Sequence, residues 1–243
     1  MSIFDQKVIK YEMKPLSSLE KVFPDETPVY RMECQMFSGL WGETVSFQVA
    51  YTGDFVMRER LDVRVVSELA EHVHVRTVEM VPVGRATNGI VDDNYLKTIS
   101  GLYPDLLKDL KDGKVIVYSR QWRSLWVDVD ITNEIPAGEY EIELQLIKEG
   151  EVVCSAKQKV TVIGTELPKL DIMHTEWMHA DCLADYYHVE VFSEEHWKLL
   201  ENYFQEYVKR DCNMMLTPLF TSPLDTAIGL ERTTCQLIDV EVK

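Results

Sequence analysis

The stretch EYEIELQLIKEGEVVCSAKQKVTVIG, Glu139–Gly164, decides the fold. Tyr140, Ile142, Leu144 and Leu146 alternate with Glu139, Glu141, Glu143 and Gln145. A period of two places one row on a core and the other toward water, as in a half-buried strand. KEGE (Lys148–Glu151) is a turn, and VVCSAKQKVTVIG after it reads as the partner of a hairpin.

The same pattern recurs upstream. Val45, Phe47, Val49 and Tyr51 alternate with Thr44, Ser46, Gln48 and Ala50; Leu61, Val63 and Val65 repeat it, as do Leu125, Val127, Val129 and Ile131. Strands with one wet face each form antiparallel sheets, and two such sheets face to face suit ~150 residues. Residues 1–166 are therefore expected to be a β-sandwich. DDNYLKTISGLYPDLLKDLKDG, Asp92–Gly113, is expected to interrupt it as a long loop with a helical turn.

GTELPKL, Gly164–Leu170, reads as a boundary, because the pattern changes beyond it. LDIMHTEWM is a plausible strand. Ser193 sits at an N-cap, with Glu194 and Glu195 in the first turn where negative charge suits the helix dipole. Trp197, Leu200, Phe204, Tyr207 and Val208 follow at helical spacing, and Lys209 and Arg210 close the helix. NMMLTPLF is apolar enough for a strand buried on both faces, and CQLIDVEVK at the end alternates like one more strand. Residues 170–243 thus read as a β–α–β unit with a parallel pair. The fold class expected is mainly β: an antiparallel sandwich followed by an incomplete α/β segment.

Composition narrows the chemistry. Hydrophobic residues make up 46% of the 243, enough for a packed core. The formal charge of −16 speaks against nucleic acid and an anionic membrane surface. MSIFDQKVIKYEMK lacks the apolar run of a signal peptide, and no stretch approaches a membrane span. Five widely spaced cysteines without a CxxC pair suit reduced thiols and a cytoplasmic location.

Candidate sites concentrate in HTEWMHADCLADYYHVEVFSEEHW, His174–Trp197. His174, His179, Cys182, His188 and His196 crowd there, but their spacing matches no tight zinc pair, so no metal or other cofactor is expected. His72 and His74 fit an exposed row of one strand. The acidic pairs Asp92–Asp93, Glu194–Glu195 and Asp25–Glu26 each have a structural explanation in a loop, a helix cap and a turn. There is no nucleophile elbow and no phosphate-binding glycine loop. Trp177, His179 and Asp181 fall just past the first expected parallel strand, and Thr217 near the end of the second. In α/β barrels, sites gather at such strand ends. An indole beside polar groups suits the CH face and hydroxyls of a sugar; the plain alternative is that Trp177 plugs the barrel mouth.

GLYPDLL, QWRSLWVDVDI, IPAGEYEIELQL, EWMHADCLADYYHVEVFSEEHWKLLENYF and CNMMLTPLF resemble glycoside hydrolase family 123 and its bacterial relatives. The stretch after Leu170 is the most specific. The resemblance implies a β-sandwich followed by a (β/α)8 barrel and exo-acting hydrolysis of N-acetylgalactosaminides. In that mechanism the substrate's 2-acetamido oxygen attacks the anomeric carbon, an Asp orients it, and an adjacent Glu is acid and base. The one Asp-Glu dipeptide, Asp25–Glu26, lies in the sandwich and does not match, so no catalytic residue is carried over. A barrel needs ~200–250 residues, more than Leu170–Lys243 supplies. The expectation is an N-terminal portion, silent on its own, whose Trp177, His179, Asp181 and Thr217 bind an N-acetylhexosamine-containing glycan in the intact enzyme. Uncovered barrel strands are expected to favour a homodimer. A sandwich module that binds carbohydrate or a protein without catalysis, and a histidine-based metal hydrolase, are the competing readings.

Overall fold

A computed structural model describes residues 10–29, 36–55, 57–85, 95–169 and 171–217. The chain divides into two compact units, Met1–Leu167 and Pro168–Lys243.

The first unit contains β1 (Lys10–Ser17), β2 (Phe37–Trp41), β3 (Thr44–Asp54), β4 (Glu59–Val66), β5 (Val73–Val83), β6 (Gly101–Asp109), β7 (Lys114–Val117), β8 (Arg123–Asp130), β9 (Gly138–Lys148) and β10 (Glu151–Glu166). They form two five-stranded sheets, ordered β1-β3-β8-β5-β6 and β2-β10-β9-β4-β7. All pairings are antiparallel except β10 with β2, which is parallel. The protein is mainly β, as its alternation requires.

One core joins the sheets. Phe47, Leu125, Val127 and Val129 from the first sheet meet Leu61, Ile142, Leu144, Leu146 and Val160 from the second, none more than 1% exposed. Burying each such side chain contributes roughly 1.5–3 kcal/mol. The β9–β10 hairpin turns through Glu149 (φ 51°) and Gly150 (φ 89°). Positive φ at both central positions matches the right-handed twist of the strands, and glycine adopts it without penalty.

Three expectations are corrected in this unit. Gly101–Asp109 is a strand, β6, and not part of a loop. It lies at a sheet edge, where Pro104 is tolerated, and its pairing with β5 shifts register between Glu79 and Met80. His72 ends a short 3₁₀ turn (Ala70–His72), so it does not share a strand face with His74. Gln48 and Ala50, expected to face water, are buried. Leu16, Val22 and Trp122 pack with Ala50 on that outer face. The Gln48 amide donates to the carbonyls of Ser17, Ser18 and Glu20, and its oxygen accepts from Ser124 Oγ at 2.9 Å. A buried amide is stable there because these partners replace water.

The second unit runs β11 (Thr175–Trp177), α1 (Ala180–Tyr187), α2 (Glu194–Lys209) and β12 (Met214–Leu216). β11 and β12 are parallel, with Thr175, Glu176 and Trp177 opposite Met214, Met215 and Leu216. The strand expected within LDIMHTEWM is thus only three residues long. In the described part of NMMLTPLF, Met214 and Leu216 are exposed and Met215 packs on the cluster of Met178, Ala180 and Leu200, so this part is covered on one face; residues 218–220 lie outside the described residues. The alternating strand explanation for CQLIDVEVK lies outside the described residues.

Candidate functional site

The β11–α1 junction and the C-terminal end of β12 assemble the site. The Met178 N–H donates to the Leu216 carbonyl at 2.9 Å, extending the ladder one step past the strand ends. Trp177 closes β11 and Thr217 follows β12, so both stand at the C-terminal ends of the parallel strands. Trp177 is two-thirds exposed, at 66%. Along with Met214 and Leu216, it lies opposite the strand face that Met215 buries against α2. Thr217 is half-buried, and its Oγ1 is buried with no hydrogen-bond partner among the described residues. An unpaired buried hydroxyl costs stability, so a polar group added at this mouth has a donor and acceptor waiting.

His179 is the extended residue that leads into α1 (φ −111°, ψ 101°), and Asp181 is the second residue of that helix. The four sequence candidates therefore fall at two adjacent strand ends and the helix start between them. The sequence pattern does not announce this helix: ADCLADYY carries no side-chain cap at its start. His188, in the left-handed region (φ 55°), ends it.

His196 is the residue whose role the sequence concealed. It is wholly buried in α2. Its Nδ1 accepts from the Phe192 N–H at 2.9 Å, which leaves Nε2–H to donate to the Ala180 carbonyl at 2.7 Å. The imidazole thereby ties the start of α1 to the start of α2 and is unavailable as a metal ligand. Ser193 caps α2 as expected, its hydroxyl accepting from the His196 N–H at 3.2 Å. The expected stripe is only half right: His196 and Leu200 face inward, whereas Trp197, Phe204 and Val208 are 49%, 41% and 70% exposed.

Aromatic side chains surround the α1–α2 turn. Tyr186 and Tyr187 meet edge to face at 5.0 Å, and the Tyr187 and Tyr203 hydroxyls share a hydrogen bond of 3.2 Å. That bond, and then desolvation, raise the pKa of Tyr203. Phe192 stacks on Trp197 at 5.9 Å. These rings add apolar surface near the candidates, and only their clustering in sequence signalled it.

In the sandwich, Asp25 and Glu26 hold Lys97 at 3.1 and 2.7 Å, and Lys97 lies over the Phe23 ring at 4.0 Å. The pair is an ion-bridged turn. The hydrogen bond from Lys97 is the largest influence holding the Asp25 carboxyl below its usual range.

The Glycoside hydrolase 123 catalytic domain matches residues 177–243. The chain also superposes on a family 123 glycoside hydrolase from Clostridium perfringens, the subject of a structural analysis of glycolipid glycan hydrolysis. That match has a TM-score of 0.60 at 15% identity, covering 87% of this chain and 38% of that one. Residues 177–243 are thus similar to the family 123 catalytic domain. The chain spans well under half the length of the Clostridium perfringens enzyme, and at this identity the superposition shows a shared fold alone. A β-glucosidase from Listeria innocua aligns over 66% of this chain and 17% of its own, at 10% identity and a TM-score of 0.30. The N-terminal domain of PorA aligns over 60% and 99%, at 11% identity and a TM-score of 0.29. No curated protein matches the chain. Among the described residues, no helix is long and apolar enough to cross a membrane.

Proposed function

We propose that this chain supplies the sandwich and the opening β–α–β unit of an exo-acting β-N-acetylhexosaminidase, with N-acetylgalactosaminides as the favoured substrates. The observation that carries the reading is the pair of parallel strand ends at which stand Trp177 and the Thr217 hydroxyl, buried without a partner among the described residues. The match of residues 177–243 to a glycosidase catalytic domain supports it. Trp177 stacks on a CH face of the sugar, and Thr217, His179 and Asp181 bind its hydroxyl or acetamido groups. The substrate's own acetamido oxygen is the nucleophile, so the protein need supply only an orienting acid and a proton donor. Neither β11 nor β12 ends in a carboxylate, so both groups belong to later strands of the barrel. Among the described residues, two parallel strands stand where a closed barrel has eight. The work is intracellular, on small imported glycans, and the uncovered face of Trp177, Met214 and Leu216 pairs isolated chains into dimers. Trp177→Ala in a form that completes the barrel should lower kcat/KM on aryl N-acetyl-β-hexosaminides at least tenfold. An unchanged value would remove Trp177 from the pocket.

One observation favours a second reading, a binding module without catalysis. The sandwich carries a cleft of about 750 Å³ lined by Tyr118 and by the cationic Arg58, Arg60, Lys108, Lys111, Lys114 and Arg123, which outnumber the acidic Glu59, Glu79 and Asp109 beside them. Tyrosine and cationic groups together suit an acidic glycan. Retention of residues 1–243 on an immobilised acidic glycan, lost on Tyr118→Ala, would favour this reading.

A further inference from the structure

We propose that His174, Glu176 and Cys212 form a zinc(II) site at the N-terminal end of β11 and β12, with water as the fourth ligand. One ligand atom from each lies within 4.8 Å of the other two. His174 Nε2 is 3.9 Å from Cys212 Sγ and 3.5 Å from Glu176 Oε1. Two donors bound to one tetrahedral zinc at ~2.0–2.3 Å stand ~3.4–3.7 Å apart, so shifts of a few tenths of an ångström for these two pairs, and of at most about 1 Å between Glu176 and Cys212, close the site around the metal. Thiolate with imidazole selects zinc over the hard cations, and three protein ligands leave one open position.

The backbone holds this arrangement independently of any metal. Asn213 accepts from the His174 N–H at 2.9 Å and donates to the Ile172 carbonyl at 2.8 Å, which pins His174 beside residue 212. The Asn213 and Met214 N–H groups both donate to the His174 carbonyl. On the other side, α2 ends in a Schellman motif: Asp211 takes the left-handed conformation (φ 57°), its N–H donates to Val208 and that of Cys212 donates to Tyr207. Glu176 is brought to the same face by the alternation of β11, two residues after His174. Strand pairing and a helix cap thus fix three ligands from two distant segments, the support a metal site requires.

Binding displaces the Cys212 thiol proton to solvent, so zinc affinity rises with pH. The site lies at the strand end opposite Trp177 and Thr217, so its role is to staple the first two parallel strands.

The test uses the full chain, purified without an affinity metal and dialysed against zinc and then against metal-free buffer. Elemental analysis should find about one zinc per chain. Cobalt(II) in its place should give a near-ultraviolet thiolate-to-metal absorption. Cys212→Ser should abolish that absorption and weaken zinc binding at least tenfold, His174→Gln and Glu176→Gln should weaken it at least tenfold, and Cys182→Ser should leave it intact. Circular dichroism checks that each variant folds, and the wild-type stoichiometry stands without them. Less than half an equivalent of zinc on the wild type, or a thiolate band that survives Cys212→Ser, overturns the proposal.

Discussion

The sandwich and the β–α–β unit treat the same kind of residue in opposite ways. In the sandwich, Leu125, Val127, Val129, Leu144 and Leu146 are at most 1% exposed. In the second unit, Trp177, Val208, Met214 and Leu216 are each 42% exposed or more. Ten strands in two layers cover their own apolar rows. Among the described residues of the second unit, two parallel strands and two helices cover one face and leave open the other, which a parallel sheet normally buries as well. The difference teaches that the sandwich is a self-sufficient scaffold, and that the second unit carries surface shaped for other groups, whether further strands or a sugar.

The sharpest way to break this comparison is a pair of matched truncations. Leu144→Ala should cost roughly 2–5 kcal/mol, read as a lowered urea midpoint for the sandwich. Leu216→Ala, at an exposed position, should leave that midpoint unchanged. Equal losses would mean that the two units fold as one.

A smaller effect tests the buried amide. Gln48→Ala strands the Ser124 hydroxyl and removes the donor shared by the carbonyls of Ser17, Ser18 and Glu20, at a cost of about 1–3 kcal/mol. Chemical denaturation with Gln48→Leu alongside separates lost hydrogen bonds from lost volume.

The smallest effect belongs to the Lys97 bridge. Asp25 has a lowered pKa in the folded protein, so its contribution is present above the unfolded pKa and fades as pH falls through the folded one. Lys97→Met should remove part of the stability difference between neutral and acid solution below pH ~4, and thermal melts across that range would show it. A pH profile that is the same with and without Lys97 would deny the bridge any role.

Local pattern carried much of the sandwich into view. Alternation alone marks β3, β4, β8 and β9, and Lys148–Glu151 marks the hairpin. β6 escaped because Pro104 and the run of Leu and Lys residues suggest a helical turn, whereas edge position and a register shift permit a strand. The burial of Gln48 depends on a segment folding over the sheet, which strand periodicity does not encode. In the second unit, Ser193 announced its helix through cap chemistry. Trp177, His179, Asp181 and Thr217 were placed by counting strand ends. His196 was hidden because a histidine on an amphipathic helix gives no sign of which backbone groups it will bridge. Cys212 meets His174 only through the parallel pairing of β11 with β12, a long-range contact no local spacing reveals.

Hydrogen exchange of the full chain, followed by mass spectrometry under native conditions, tests the contrast between the two units most directly. The account predicts that β3, β8 and β9 exchange only through global unfolding, while β11, β12 and α2 exchange through a separate opening of lower free energy. A single opening free energy shared by all of these strands and α2 would contradict it.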